Sequence, residues 1–167
     1  MHDFAQWLDR TPPSVLIQSS LGLIRLLQAA HLLTAGVVCV SGLVIALRVL
    51  GVARRDEPFD AVWRRFAPWL AGGLAVMATT GLLQTLGDPV REFTSTSYWV
   101  KLASVVTAIA ITAAFGQRLR VSGGAERFPV AAKLGAAGLV LLWLAIVLLG
   151  RMIAYDRAIW GALSLRT

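Results

Sequence analysis

The stretch LLQAAHLLTAGVVCVSGLVIAL, residues 26–47, settles the architecture. It carries no charge, and Arg25 and Arg48 bracket it. An α-helix rises about 1.5 Å per residue, so about 20 apolar residues cross a hydrocarbon layer about 30 Å thick. A strand is a poor reading, because the run is long and lacks alternation of period two. In lipid the backbone polar groups must be satisfied within the segment, which leaves a helix.

Three more runs obey the same rule. Phe66–Gly87 lies between Arg65 and Asp88. Leu102–Gln117 is shorter and extends back to Tyr98, with Lys101 inside it. Leu134–Gly150 continues through Arg151 to Tyr155. The expected spans are 22–49, 64–87, 98–118 and 131–155, in one membrane domain covering residues 1–167. The fold class is all-α: a polytopic membrane protein built as a four-transmembrane-helix bundle. Composition agrees, with 57% hydrophobic and 15% charged residues, against about 45–50% and about 25% in soluble domains.

The opening MHDFAQWLDR has no basic region ahead of an apolar core, so no secretory signal is read there. Phe4, Trp7 and Leu8 share one helical face opposite Asp3, Gln6 and Arg10, and Pro12 and Pro13 come next. This pattern predicts a short amphipathic helix in the membrane interface, ended by the prolines.

The net charge of +7 comes from sixteen Lys and Arg against nine acids. These cations flank the apolar runs, so they read as topology and headgroup charges, and nucleic-acid binding is excluded. The first and third linkers with their flanks hold nine: Arg48, Arg54, Arg55, Arg64, Arg65, Arg118, Arg120, Arg127 and Lys133. The other side holds seven: Arg10, Arg25, Arg91, Lys101, Arg151, Arg157 and Arg166. The bias places those two linkers in the cytoplasm and both termini outside, in the periplasm of a bacterial inner membrane. The single cysteine, Cys39, cannot form an intrachain disulfide and says nothing of redox compartment.

Ionisable residues within spans are costly and point to function. His31 lies six residues inside Arg25, about 9 Å along the helix. Its wheel position aligns it with Gln28, Ala35, Cys39, Gly42 and Ala46, a face of small residues suited to close helix approach. Arg25, Lys101 and Arg151 stand at the outer ends of spans one, three and four. Alternating helix direction brings them to one level, with Trp99, Tyr155, Tyr98, Glu92 and Asp156 nearby and Gln84 and Thr85 from the second span. In one reading the cations snorkel or pair with Glu92 and Asp156, the aromatics form an interfacial belt, and His31 bonds Gln28 or a carbonyl. In the other, the cluster cradles an anionic ligand that His31 reaches from below. Heme b fits that description: neutral imidazole ligates iron, and the cations suit the propionates. His31 is then the metal ligand, with Arg25, Gln28, Lys101, Arg151, Trp99 and Tyr155 as cofactor contacts. The second axial position has no obvious histidine, since the only other one is His2. Met77, a five-coordinate iron or a dimer partner are the alternatives.

The segments QAAHLLTAGVVCVSGLVIALRVLG (28–51), REFTSTSYWVKLASVVTAIAITAAFGQRLR (91–120) and GRMIAYD (150–156) resemble an uncharacterised bacterial four-helix membrane family, a domain of unknown function. The resemblance covers essentially the whole chain and implies no activity. More distantly, the chain is similar to copper-resistance D-type proteins and to heme-binding protoporphyrinogen oxidases of the HemJ type. Those share an early-helix histidine, matching His31, and a later lysine, matching Lys101. The resemblance implies a heme-ligating role for His31.

No nucleophile–base pair, zinc spacing or phosphate loop is present, so the sequence does not argue for an enzyme. Three functions stand as expectations: a heme or ligand pocket near His31, an accessory subunit of a larger membrane complex, or a copper-handling or small-solute transport protein. The expected partner is the lipid bilayer, with a homo-oligomer or larger complex as a further expectation.

Overall fold

The start and stop of each long helix come from local chemistry. Ser20 opens the first one, its hydroxyl accepting from the Leu23 N–H at 3.3 Å, and Gly51 closes it with φ +72°. That left-handed conformation is the usual glycine stop. Pro58 precedes the second long helix and Pro129 the fourth, each with extended backbone. Ahead of the third, the Asp88 carboxylate caps a single turn opened by Pro89.

In the computed structural model, which describes residues 2–121 and 128–165, the order is α1 (His2–Asp9), α2 (Pro12–Gln18), α3 (Leu21–Leu50), α4 (Phe59–Gly87), α5 (Pro89–Phe93), α6 (Thr96–Val121) and α7 (Val130–Met152). A 3-10 turn (Ile153–Tyr155), α8 (Asp156–Trp160) and a second 3-10 turn (Gly161–Leu163) complete it. No strand occurs among the described residues. The protein is an all-α four-helix bundle, and α3, α4, α6 and α7 are each long and apolar enough to cross a membrane. Gly123, Gly124, Arg127 and Arg166 lie outside the described residues.

The bundle is turned inside out relative to a soluble one. Leu32, Leu33, Trp69, Leu141 and Leu148 face outward, an apolar surface that suits lipid rather than water. Helix α3 packs along α4 and α7, and α6 packs on α7, whereas α4 and α6 barely touch. The middle of the bundle is filled by Val38, Leu70, Ala108, Trp143 and Ile146, one or more from each long helix.

Two expectations are adjusted. The prolines do not simply end the N-terminal helix: Pro12 and Pro13 open a second one, where a missing N–H costs nothing. The close approach of α3 and α4 is also in a different register. It occurs at Gly73, where a Cβ would meet Val38 and Thr34 of α3, whereas nothing lies within 4 Å of a Cβ at Gly42. The tight face of α3 therefore runs through Leu27, Thr34, Val38, Ser41 and Ile45, all buried but for the half-buried Thr34. His31 belongs to its edge, while Gln28 is exposed.

The two ends of the bundle differ. The linker end, beside the α3–α4 connection, closes on Phe59, Val49, Ile45, Phe128 and Ala136, with Trp63 and Phe66 packed around them. Gly116 lets the Trp63 ring lie against α6, where any Cβ would collide with it. The terminal end is capped by α1, α2, α5 and the C-terminal turns, and it holds His31, Lys101 and Asp156.

Candidate functional site

At the terminal end the site begins with one hydrogen bond between spans. His31 Nδ1 of α3 lies 2.9 Å from Thr80 Oγ1 of α4. The Thr80 hydroxyl is itself 2.8 Å from the Val76 carbonyl, one turn back on its own helix. A hydroxyl has one hydrogen, and a carbonyl can only accept. The Met77 carbonyl lies 3.3 Å from the same hydroxyl and also accepts from the His31 ring. With its hydrogen on a carbonyl, the Thr80 oxygen can accept from an Nδ1–H, a tautomer that would keep the Nε2 lone pair available.

The ring rests on Gly81, where a Cβ would stand 3.4 Å from His31 Cε1. Beside it, Gln84 Nε2 donates to the Thr80 carbonyl at 3.2 Å and reaches the Leu27 carbonyl at 3.5 Å. Thr85 bonds the Gly81 carbonyl at 3.0 Å, and its hydroxyl lies 3.5 Å from that of Tyr98.

Lys101 enters from α6. It is half-buried, and its ammonium lies beside Gly150 of α7, 3.5 Å from the position a Cβ would take. A larger residue there would press on the ammonium. The Lys101 charge is within electrostatic reach of both His31 and Glu92. Glu92 sits on α5, outside the spans, with its carboxylate 3.4 Å from Arg91. Burial pushes its carboxyl above the usual glutamate range, and the Arg91 and Lys101 charges pull it partway back. All four spans thus contribute to one region: His31, Thr80, Lys101 and Gly150, under Glu92.

The other expected site residues are placed differently. Arg25 and Gln28 are exposed on α3. Arg151 is exposed and stacks its guanidinium over Tyr155, 5.8 Å from the ring centre. Trp99 donates its indole N–H to the Phe93 carbonyl at 3.1 Å. It stacks with Phe93 and Tyr98, and Phe4 of α1 meets Phe93 edge-on at 5.6 Å. Trp99 therefore fastens α5 and, through it, α1. The Lys101 charge bears on His31, whereas Arg25, Arg151 and Tyr155 are exposed. Met77 packs among the central apolar residues, and His2 lines a separate surface cleft with Asp88, Arg91 and Arg157.

Asp156 does not pair with these cations. It is fully buried and accepts from Ser95 Oγ at 2.8 Å, the Ser97 N–H at 2.8 Å, the Thr96 N–H at 3.3 Å and Ser164 Oγ at 2.6 Å. The first N–H groups of α6 have no partner within their helix, and a carboxylate there also suits the helix dipole. Asp156 is a cap supplied from 60 residues along the chain. Trp160 adds a bond to Ser97 Oγ at 2.8 Å. Thr80, Gly81 and Gly150 carried no sequence signal beyond polarity or smallness within a span.

Among the described residues no three His, Cys, Asp or Glu gather as a metal-ion cage. An imidazole serving as an axial heme ligand needs no such cage, because the porphyrin supplies the other donors.

Fold and site together define a multi-pass membrane protein with a polar region at one end of a four-helix bundle. The model of a family of unknown function, DUF6644, matches residues 17–156, and the chain belongs to that family. Comparison with curated proteins and with solved structures finds no match.

Proposed function

We propose that the protein is a small bacterial inner-membrane protein that binds b-type heme at the terminal end of its bundle, where His31 would hold the iron. The reading rests on the His31 imidazole, held within the bundle by the Thr80 hydroxyl 2.9 Å from Nδ1 and by the Met77 carbonyl. A partner on the non-ligating nitrogen is what orients metal-bound histidines and raises their basicity. Gly81 gives the ring a flat neighbour, and Lys101 supplies a cation for a carboxylate. Heme, when bound, supplies redox-active iron. The chain's part is to present the imidazole, hold the propionate charge at Lys101 and keep bulk water away with the α5 cap.

The distant similarity to HemJ-type and copper-resistance D-type proteins supports a histidine–lysine site of this kind. A copper site made by the protein alone has less support, since the described residues offer no cluster of donors. The Lys and Arg bias supports cytoplasmic first and third linkers and, with them, a site on the periplasmic side.

The test is a visible spectrum of the protein purified in mild detergent with heme supplied. The expected result is a Soret band in the wild type that His31→Ala abolishes and Lys101→Met weakens. Absence of the band in the wild type, or an unchanged band in His31→Ala, overturns the reading.

A further inference from the structure

The strongest feature outside this site is a groove on the lipid-facing side of α3 and α4. It measures about 460 Å³ and is walled by Leu33, Val40, Phe66 and Trp69, with Gly36 as its floor. Nothing lies within 4 Å of a Cβ at Gly36, so the floor is open. From Leu33 to Ser41 the groove tracks nine residues of α3, eight steps or about 12 Å at about 1.5 Å per residue. One leaflet's hydrocarbon is about 15 Å deep. The groove therefore has the length of a lipid chain rather than of a crossing helix.

Its linker end is cationic. Phe66, which lines the groove, carries the Arg54 guanidinium 5.3 Å from its ring centre. Arg54 holds a left-handed backbone with φ +54°, a costly conformation for a residue with a Cβ. Three arginines converge on Glu57. Arg54 and Arg65 share its carboxylate at 2.6 and 3.2 Å, and the buried Arg48 donates Nε–H to its carbonyl at 2.6 Å. Three positive charges and one negative leave a net +2 at this point. Single exposed ion pairs mean little; an uncompensated cationic group at headgroup depth attracts anionic lipid.

We propose that the α3–α4 groove is a binding site for an anionic phospholipid, with one acyl chain along Leu33–Phe66 and the phosphate at Arg54 and Arg65. Apolar length, an open floor and a net positive end meet at one residue, Phe66, in the order chain then headgroup. The site is independent of the heme reading and lies toward the opposite end of the bundle.

The experiment is native mass spectrometry of the full chain, delipidated in detergent and offered phosphatidylglycerol or phosphatidylcholine with the same acyl chains. The wild type should retain phosphatidylglycerol about tenfold more tightly. Arg54→Gln should lower that preference severalfold, and Arg65→Gln, on the other side of Glu57, is a second variant if the first does not fold. Gly36→Leu, which fills open space, should weaken both lipids alike. Inorganic phosphate at millimolar level should not displace the lipid; displacement would mean the headgroup alone binds, which overturns the role of the groove. Equal retention of the two lipids by the wild type overturns the proposal. So does unchanged retention in a folded Gly36→Leu protein, or a dimer that Gly36→Leu dissociates, which would give the groove to a second copy.

Discussion

The two ends of this bundle bury charge in opposite ways. At the terminal end, polar groups answer one another across helices: Asp156 receives the start of α6, His31 Nδ1 meets the Thr80 hydroxyl, and Lys101 is within electrostatic reach of His31 and Glu92. At the linker end, Arg48 is buried at 3% exposure with one carbonyl acceptor and the Phe128 ring 5.7 Å away. Each end is accordingly specified in its own way. Removing one member of a mutually satisfied set strands the others, whereas an arginine held by aromatic packing can be replaced by apolar volume. The first arrangement is suited to a site, the second to a closure.

The largest effect at the terminal end is expected from Asp156→Ala. It leaves the Ser97 and Thr96 N–H groups without their carboxylate and should cost at least about 3 kcal/mol, given about 1.5–3 kcal/mol per charged hydrogen bond. Denaturant unfolding in detergent, followed by circular dichroism, measures it; a loss below about 1 kcal/mol would mean that the cap is incidental. Next is Thr80→Val, which keeps the shape but removes the hydroxyl that meets His31 Nδ1. A loss of about 1–2 kcal/mol is expected, largely restored in Thr80→Ser. If Ser does not restore it, the hydroxyl is not what holds the ring.

Arg48→Met probes the contrast from the other end. Its stability should stay within about 1 kcal/mol of wild type, because apolar volume replaces a poorly compensated buried charge. A loss as large as that of Asp156→Ala would show that the linker end is specified by charge after all.

The smallest effect concerns Glu92. Its carboxyl is held above the usual range, so the folded protein favours the protonated form. That stability is fully present below the ordinary glutamate value and is lost as pH rises through the raised one. Wild type should therefore lose thermal stability relative to Glu92→Gln as pH is raised from the ordinary glutamate value upward. A difference that does not vary with pH would place Glu92 in water.

The spans were legible because lipid demands about 20 apolar residues in a row, a requirement local to each segment. The N-terminal helix was legible only in part. Pro12 and Pro13 read as a stop, yet a proline fits the first turn of a helix equally well when the next residues continue one, as Ser14–Gln18 do. The site was half legible. His31 and Lys101 stood out because charge within a span is costly, but cost does not say which way a side chain turns. The stripe through Gln28 and Gly42 is a sound wheel argument, yet packing chose the register through Thr34 and Val38, since Gly73 meets the chain there.

Hydropathy and charge act residue by residue, so the order of amino acids alone was enough to give four spans and to put His31 and Lys101 within them. Tertiary packing was needed for the rest: Thr80 meets the His31 ring, Gly150 makes room for Lys101, Asp156 caps a helix and three arginines meet on Glu57. Those outcomes depend on which residues of distant segments share one depth and one face, and no local pattern carries that information.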